Sequence, residues 1–287
     1  MLNYIFKNFV KLGLFFYSKR IKVTGTENIP KKGAILFTSN HPNGLLDPLV
    51  ITTNCPRTNY YLVRAAAFKN PWIEKFLLAL NLFPIYRMRD GIKQLAKNQE
   101  IFDKCTHVLH QQKTLLIFPE GTHNIKRTVR PLSKGFTRIL FGALEKHPNL
   151  EIAIVPIGVT YQKVGSFPSK VALHYGTPIS ANKFYDPNHK NKSVTILKEK
   201  ITSQLKKLSV HFPNDENFIE TVGKFSKARV DFTEVNAVQT MYKNNNIKQF
   251  KKQKNYTSIF KVLFIINSII PYLFWKKQLK KLRKLSF

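Results

Sequence analysis

Two short stretches of this 287-residue chain carry side chains in an order that suits proton transfer. The first is Asn40-His41-Pro42-Asn43-Gly44-Leu45-Leu46-Asp47. Histidine is the side chain whose ordinary pKa lies nearest neutrality, and a carboxylate on one ring nitrogen fixes which nitrogen is left to take a proton. On a regular helix His41 and Asp47 would stand about 240° apart, so a bend is required; Pro42 and Asn43-Gly44 supply one. A plain turn histidine, with Asp47 capping the apolar stretch after it, is the competing reading. The second stretch is Phe118-Pro119-Glu120-Gly121-Thr122, where glycine lets backbone approach a ligand closely and Glu120 and Thr122 offer hydrogen bonds. Between them, Phe83-Pro84-Ile85-Tyr86-Arg87, with Arg89 beyond, places a candidate phosphate fork after an apolar run. His107 and His110 share a helix face without a third ligand, so no metal site is expected.

The elements around these residues read as an alternating α/β pattern. Short apolar runs at 33–39, 59–64, 114–118, 151–160 and 170–175 predict strands, and two of them end in the stretches above. Residues 71–82, 91–112, 132–146 and 193–208 carry helical periodicity, the first with Pro71 in its opening turn. In an open α/β sheet, ligands gather outside the carboxyl ends of the strands. The expected fold class is therefore α/β, a single domain over 25–212 with a mixed central sheet flanked by helices. Residues 213–258 are polar and weakly periodic and read as an extension.

Charge narrows the choice of partner. The chain holds 47 Lys+Arg against 16 Asp+Glu, a net +31. Residues 1–26 contribute five basic and no acidic residues, and 235–287 twelve and none, so +17 of the +31 sits at the ends. Residues 1–24 predict a helix with a narrow polar stripe, Asn3, Lys7 and Lys11, and a wide apolar face suited to a bilayer interface. Residues 262–275, VLFIINSIIPYLFW, are too short to span a bilayer but are flanked by lysines, with Tyr272 and Trp275 at one edge, as in a short interfacial anchor. Such ends favour the cytoplasmic face of an anionic membrane. Neither a zinc-finger spacing nor an aromatic RNA-binding signature is present, so no nucleic-acid partner is expected. Two cysteines make no disulfide framework.

Taken in order, NHPNGLLD, FPIYR, FPEGT and VPIGV (155–159) resemble the four blocks of the glycerol-phosphate and lysophosphatidic acid acyltransferases, over roughly residues 25–180. The resemblance implies an enzyme of phospholipid biosynthesis that moves a fatty acyl group from acyl-CoA or acyl carrier protein to a glycerol-phosphate or lysophospholipid hydroxyl. It implies His41 as the base and Asp47 as its orienting partner. It places Arg87, Glu120, Gly121, Thr122 and Lys134 at the acceptor's phosphate, with no cofactor beyond the donor. Five residues separate His41 from Asp47 where the usual pattern has four, and His123 stands where Arg or Ser is commoner. The reading from another class is a non-catalytic basic membrane-binding protein with the same fold.

Overall fold

The computed structural model describes residues 2–87 and 90–250, together with 262–263, 266–269, 272–273 and 276. It divides into two units, 1–249 and 250–287. In the first unit the parallel strands β2 (Ala34–Ser39), β3 (Asn59–Arg64), β4 (Leu82–Ile85), β5 (Thr114–Ile117) and β6 (Ile152–Tyr161) share one direction. β7 (Ser169–Tyr175), paired with β1 (Ser18–Thr24), and the short β8 (Ile179–Ser180) run against β6. Across the sheet the order is β1-β7-β6-β2-β5-β3-β4. β2 lies between β5 and β6 and is buried along its whole length, which is why its sequence is continuously apolar rather than alternating.

Helices cover both faces. Leu36 and Leu115 pack beneath α5 (Asn98–His110), α6 (Gly135–Lys146) and α7 (Lys190–Leu208), joined by Leu109, Leu140 and Leu197. Ile35, Phe37 and Leu116 point the other way, into a cluster with Leu14 of α1 (Leu2–Tyr17) and Ile51 of α2 (Leu46–Asn54). The expected mixed sheet between helical layers is what the structure contains. Several elements differ from expectation. The helix expected over 91–112 is two, α4 (Ile92–Ala96) and α5, parted at Lys97. α3 (Pro71–Ala79) ends early enough for Leu82–Ile85 to form edge strand β4.

The segment after residue 212 is not a loose extension as far as it is described up to residue 250. α8 (Phe218–Lys227) and α9 (Val235–Lys243) pack on β7 and on the chain leaving α7, burying Phe225, Phe232 and Val238 with Ala172 and Phe212. Its apolar residues are few but fall on one face of each helix, which a mean polarity conceals. Lys22 of β1 pairs with Glu234 at 2.6 Å, and Lys170 of β7 with Asp231 at 2.5 Å. Of the anchor expected at 262–275, the described residues are helical; the lysines at 251, 252, 254 and 261 lie outside the described residues. Among the described residues, no helix is long and apolar enough to cross a membrane.

His211, between α7 and α8, locks this packing. Its Nδ1 accepts from the Val129 N–H at 3.0 Å. Burial lowers its pKa to about 4, with Lys206 acting in the same direction. The folded protein thus keeps the ring neutral where an unfolded chain would protonate it. That stability is fully present above the ordinary histidine pKa and is lost as pH falls from about 6.5 towards about 4. His211→Asn keeps an acceptor for Val129 but cannot titrate. The variant is expected to lose less stability than the wild type between pH 7.5 and 4.5, measured as urea midpoints; parallel pH dependences would refute the linkage.

Candidate active site

The strand ends bring the first stretch together. The chain leaves β2 at Ser39, and Asn40 bridges to the overhanging end of β6: its Oδ1 accepts from Val159 N at 2.7 Å and its Nδ2 donates to Val159 O at 2.9 Å. His41 follows at the carboxyl end of the sheet. The helix wheel that would have separated His41 from Asp47 does not apply, because α2 begins only at Leu46. The intervening turn is closed by Asn43, whose Oδ1 accepts from Leu45 N and Leu46 N at 3.1 and 3.0 Å. Asn43 therefore does the capping that could have been assigned to Asp47, and Asp47 is free to turn back.

Asp47 is fully buried and meets three donors. His41 Nδ1 lies 2.8 Å from Oδ2, the Asn43 N–H donates to the same oxygen at 2.7 Å, and the Tyr161 hydroxyl donates to Oδ1 at 2.8 Å. Burial pushes this carboxyl above its ordinary pKa; His41 first, then Asn43 and Tyr161, pull the other way. The imidazole is thereby held with a proton on Nδ1, and Nε2 is left for the cleft. Its ring stacks on Phe118 at a centroid distance of 4.0 Å, and His123 stands edge-on at 6.0 Å. His123 fits so closely because position 44 has no side chain: a Cβ there would lie 2.9 Å from His123 Nδ1.

The second stretch folds into the same cleft. Gly121 adopts φ +76°, a conformation that favours glycine, and its N–H donates to Phe118 O at 3.0 Å. Asn124 N donates to His41 O at 2.9 Å, tying the loop after Thr122 to the histidine turn. Asn40, His41 and Glu120 line the cleft with 124–128. Arg130, which sequence reading passed over, organises the loop. Its Nε donates to Glu120 Oε2 at 2.8 Å, one terminal nitrogen donates to Thr122 Oγ1 at 2.8 Å, and the other meets the Thr122 carbonyl. Glu120 and Thr122 are thus engaged with Arg130, while buried Glu120 Oε1 has no partner among the described residues. The available signal for Arg130 was an arginine ten residues past a loop acid, which is too common to single out.

Lys134 is exposed at the start of α6, next to Ser133, whose N–H donates to Pro119 O at 2.8 Å. The start of α6, a helix end that favours anions, therefore lies beside the same loop. Arg87 follows β4 at the same sheet edge but three strands from β2, about 14 Å away at the usual strand spacing. Its backbone N–H donates to Asp90 Oδ2 at 2.7 Å; Arg89 lies outside the described residues. Among the described residues no group of three or more His, Cys, Asp or Glu could hold a metal ion.

A family model named Acyltransferase matches residues 20–160, which hold both stretches and the strands that carry them. Residues 20–160 thus form an acyltransferase-family domain. The chain is 30% identical over 120 residues to glycerol-3-phosphate O-acyltransferase 2 of Saccharomyces cerevisiae, covering 41% of this chain and 16% of that protein. It is 30% identical over 128 residues to the 1-acyl-sn-glycerol-3-phosphate acyltransferase of Borreliella burgdorferi, covering 44% of this chain and 48% of that one. The chain thus spans less than half the length of either curated relative. The crystal structure of a 1-acyl-sn-glycerophosphate acyltransferase from Thermotoga maritima shares its fold, with a TM-score of 0.51 at 22% identity over 71% of this chain and 79% of that one.

The Glu120–Arg130 pair is unequal: the Glu120 side chain is 2% exposed and the Arg130 side chain 27%. Removing the arginine strands a buried carboxylate, whereas removing the charge on Glu120 leaves a guanidinium that can turn to water. Arg130→Ala is expected to cost about 3 kcal/mol, the low end for a broken buried pair. Glu120→Gln should cost less and should restore much of the loss when combined with Arg130→Ala. Urea denaturation of the three variants checks this; equal stability of Arg130→Ala and wild type would mean the pair holds nothing.

Proposed function

We propose that this acyltransferase transfers a fatty acyl group from an acyl thioester to a hydroxyl of a phosphorylated glycerolipid acceptor. The observation that carries the reading is the His41–Asp47 pair, its free Nε2 opening into a cleft shared with the Glu120 loop. In this mechanism His41 Nε2 takes the acceptor's hydroxyl proton as the oxygen attacks the thioester carbonyl. Asp47 stabilises the imidazolium so formed. The tetrahedral adduct collapses, the carbon–sulfur bond breaks, and the departing thiolate recovers the proton from His41. Since a thiolate leaves readily, no enzyme nucleophile is needed.

The acceptor's own groups find complementary partners. Glu120 lines the cleft and, held by Arg130, is the loop's acid on the acceptor side. Lys134 at the start of α6 supplies positive charge for the phosphate, and Arg87 extends that charge along the strand edge. Gly121 and Thr122 shape and fix the loop between them. His41→Ala is expected to lower transfer of labelled palmitate from palmitoyl-CoA by about 10²- to 10⁴-fold, with the fold unchanged by circular dichroism. Assaying glycerol 3-phosphate and lysophosphatidic acid in parallel identifies the acceptor. Near-wild-type turnover would remove His41 as the base, and a wild type that transfers to neither would leave a non-catalytic membrane-binding protein.

The acceptor and the product are lipids, and the surface near α2 suits them. α1 turns Lys7 inward, its Nζ donating to Cys55 O at 2.6 Å, buries Leu14, and leaves most of its large apolar residues outward. Tyr4, Ile5, Phe9 and Phe15 are exposed, and α3 adds Trp72, 82% exposed, and Phe76. The rings of Phe6 and Phe76 lie 6.0 Å apart, joining the two helices into one apolar surface. Such a surface, with Lys11, Lys69 and Lys75 exposed around it, fits the interface of an anionic bilayer. Phe9→Glu with Trp72→Glu is expected to weaken binding to phosphatidylglycerol-containing vesicles at least tenfold in flotation. Unchanged flotation would place membrane contact elsewhere.

A further inference from the structure

The cleft at His41 does not account for a second concavity, a groove of about 710 Å³ between α7, α9 and the chain at 131–132. Its walls combine two features. Leu132, Pro131 and the Tyr242 ring make one side apolar, and Lys198, Lys206, Lys207 and Lys243 stand around it against a single acid, Glu199. The size is that of a small-molecule site, and the mixture of a flat apolar wall with several ammonium groups matches a phosphorylated aromatic ligand.

The groove is built rather than incidental. Gln239 of α9 donates through Nε2 to the carbonyls of Lys206, Lys207 and Ser209 at 2.8, 3.1 and 2.9 Å, capping the end of α7 and fixing the two lysines. The Tyr242 ring is held edge-on against Phe212 at 5.1 Å. The neutral His211, whose Nδ1 is occupied by Val129 N–H, presents an Nε2–H donor on the groove wall.

The groove also adjoins the catalytic cleft. Residues 125–128 and Val210 line the cleft, whereas Pro131, Leu132 and His211 line the groove. The two segments are joined by Phe212 N donating to Arg127 O at 2.8 Å and by the Val129–His211 bond. Thr128 of the cleft and Pro131 of the groove are three residues apart, a chain separation of at most about 10 Å. An extended pantetheine arm is longer than that.

We infer that this groove binds the phosphorylated adenosine of a coenzyme A thioester, placing the acyl sulfur at His41 by way of the pantetheine arm. The inference rests on the acyl-transfer reading above and adds the donor's identity to it. Adenine stacks on Tyr242 and the apolar wall, and the phosphates meet Lys206, Lys207, Lys198 and Lys243. An acidic carrier protein would instead use a broad basic surface and leave a groove with an apolar wall without purpose.

Desulfo-coenzyme A, which binds without reacting, is the probe. The wild type is expected to bind it in calorimetry, and Lys206→Glu with Lys207→Glu to weaken that binding at least tenfold. The same variant should raise KM for palmitoyl-CoA at least tenfold, leaving the acceptor KM and saturated turnover unchanged. In the wild type, desulfo-coenzyme A should also protect Lys206 and Lys207, but not exposed Lys192, from acetylation, a measurement that requires no variant to fold. No binding by the wild type, unprotected lysines, or unaltered binding by a folded Lys206→Glu/Lys207→Glu protein would overturn the proposal, as would loss of transfer from acyl carrier protein alone. Because binding is read without turnover, a wild type that binds the probe yet transfers no acyl group would sink the catalytic reading and leave the groove standing.

Discussion

A carboxylate taken out of water must be given donors or it neutralises, and Asp47 is given three from separate parts of the chain. His41 comes from the end of β2, the Asn43 N–H from the turn after it, and the Tyr161 hydroxyl from the end of β6, more than a hundred residues away. The β2–β6 register makes this possible. Ser39 pairs with Ile157, so β6 runs past the end of β2 and carries Val159 to Asn40 and Tyr161 to Asp47. A one-residue slip in that pairing would turn Tyr161 to the other face of the sheet and leave the carboxylate short of a donor. The His41–Asp47 pair is thus a property of the sheet as much as of the segment that holds both residues.

The same economy governs the loop after β5. Arg130 ties Glu120 and Thr122 together, Ser133 returns to Pro119, and Asn124 bonds His41, so one crossing of the chain fixes both stretches relative to each other. Further along, 127–129 pairs with 211–212 and passes the constraint to α8 and α9. Those helices lie far from His41 in sequence and contribute nothing to its immediate surroundings. Their packing nevertheless shapes the groove beside the cleft, which links the polar C-terminal part of the described unit to the carboxyl end of the sheet.

The exterior follows a different rule from the core. α1 turns Lys7 and Leu14 inward and leaves Tyr4, Ile5, Phe9 and Phe15 exposed, an arrangement unfavourable in water and favourable in a lipid interface. α3 repeats the pattern with no fully buried residue of its own. The two helices meet through the edge-on rings of Phe6 and Phe76.

Much of this was legible in the sequence because it depends on local order. Continuous apolar runs gave the central strands, and their ends located His41, Asp47 and the Glu120 loop in chain order. Edge strands β1 and β4 were not legible: they are partly exposed and defined by the partner they pair with rather than by their own pattern. The helices at 218–243 were hidden by mean polarity, because most of their apolar residues fall on inward positions. What the chain determined by itself was residue chemistry, spacing and the alternation of strand and helix, all fixed by neighbours within a few positions. What only the tertiary structure decided was which distant groups complete each buried polar group: Tyr161 on Asp47, Arg130 on Glu120, Val129 on His211. Those choices follow from burial and strand register, and both exist only once the sheet has formed.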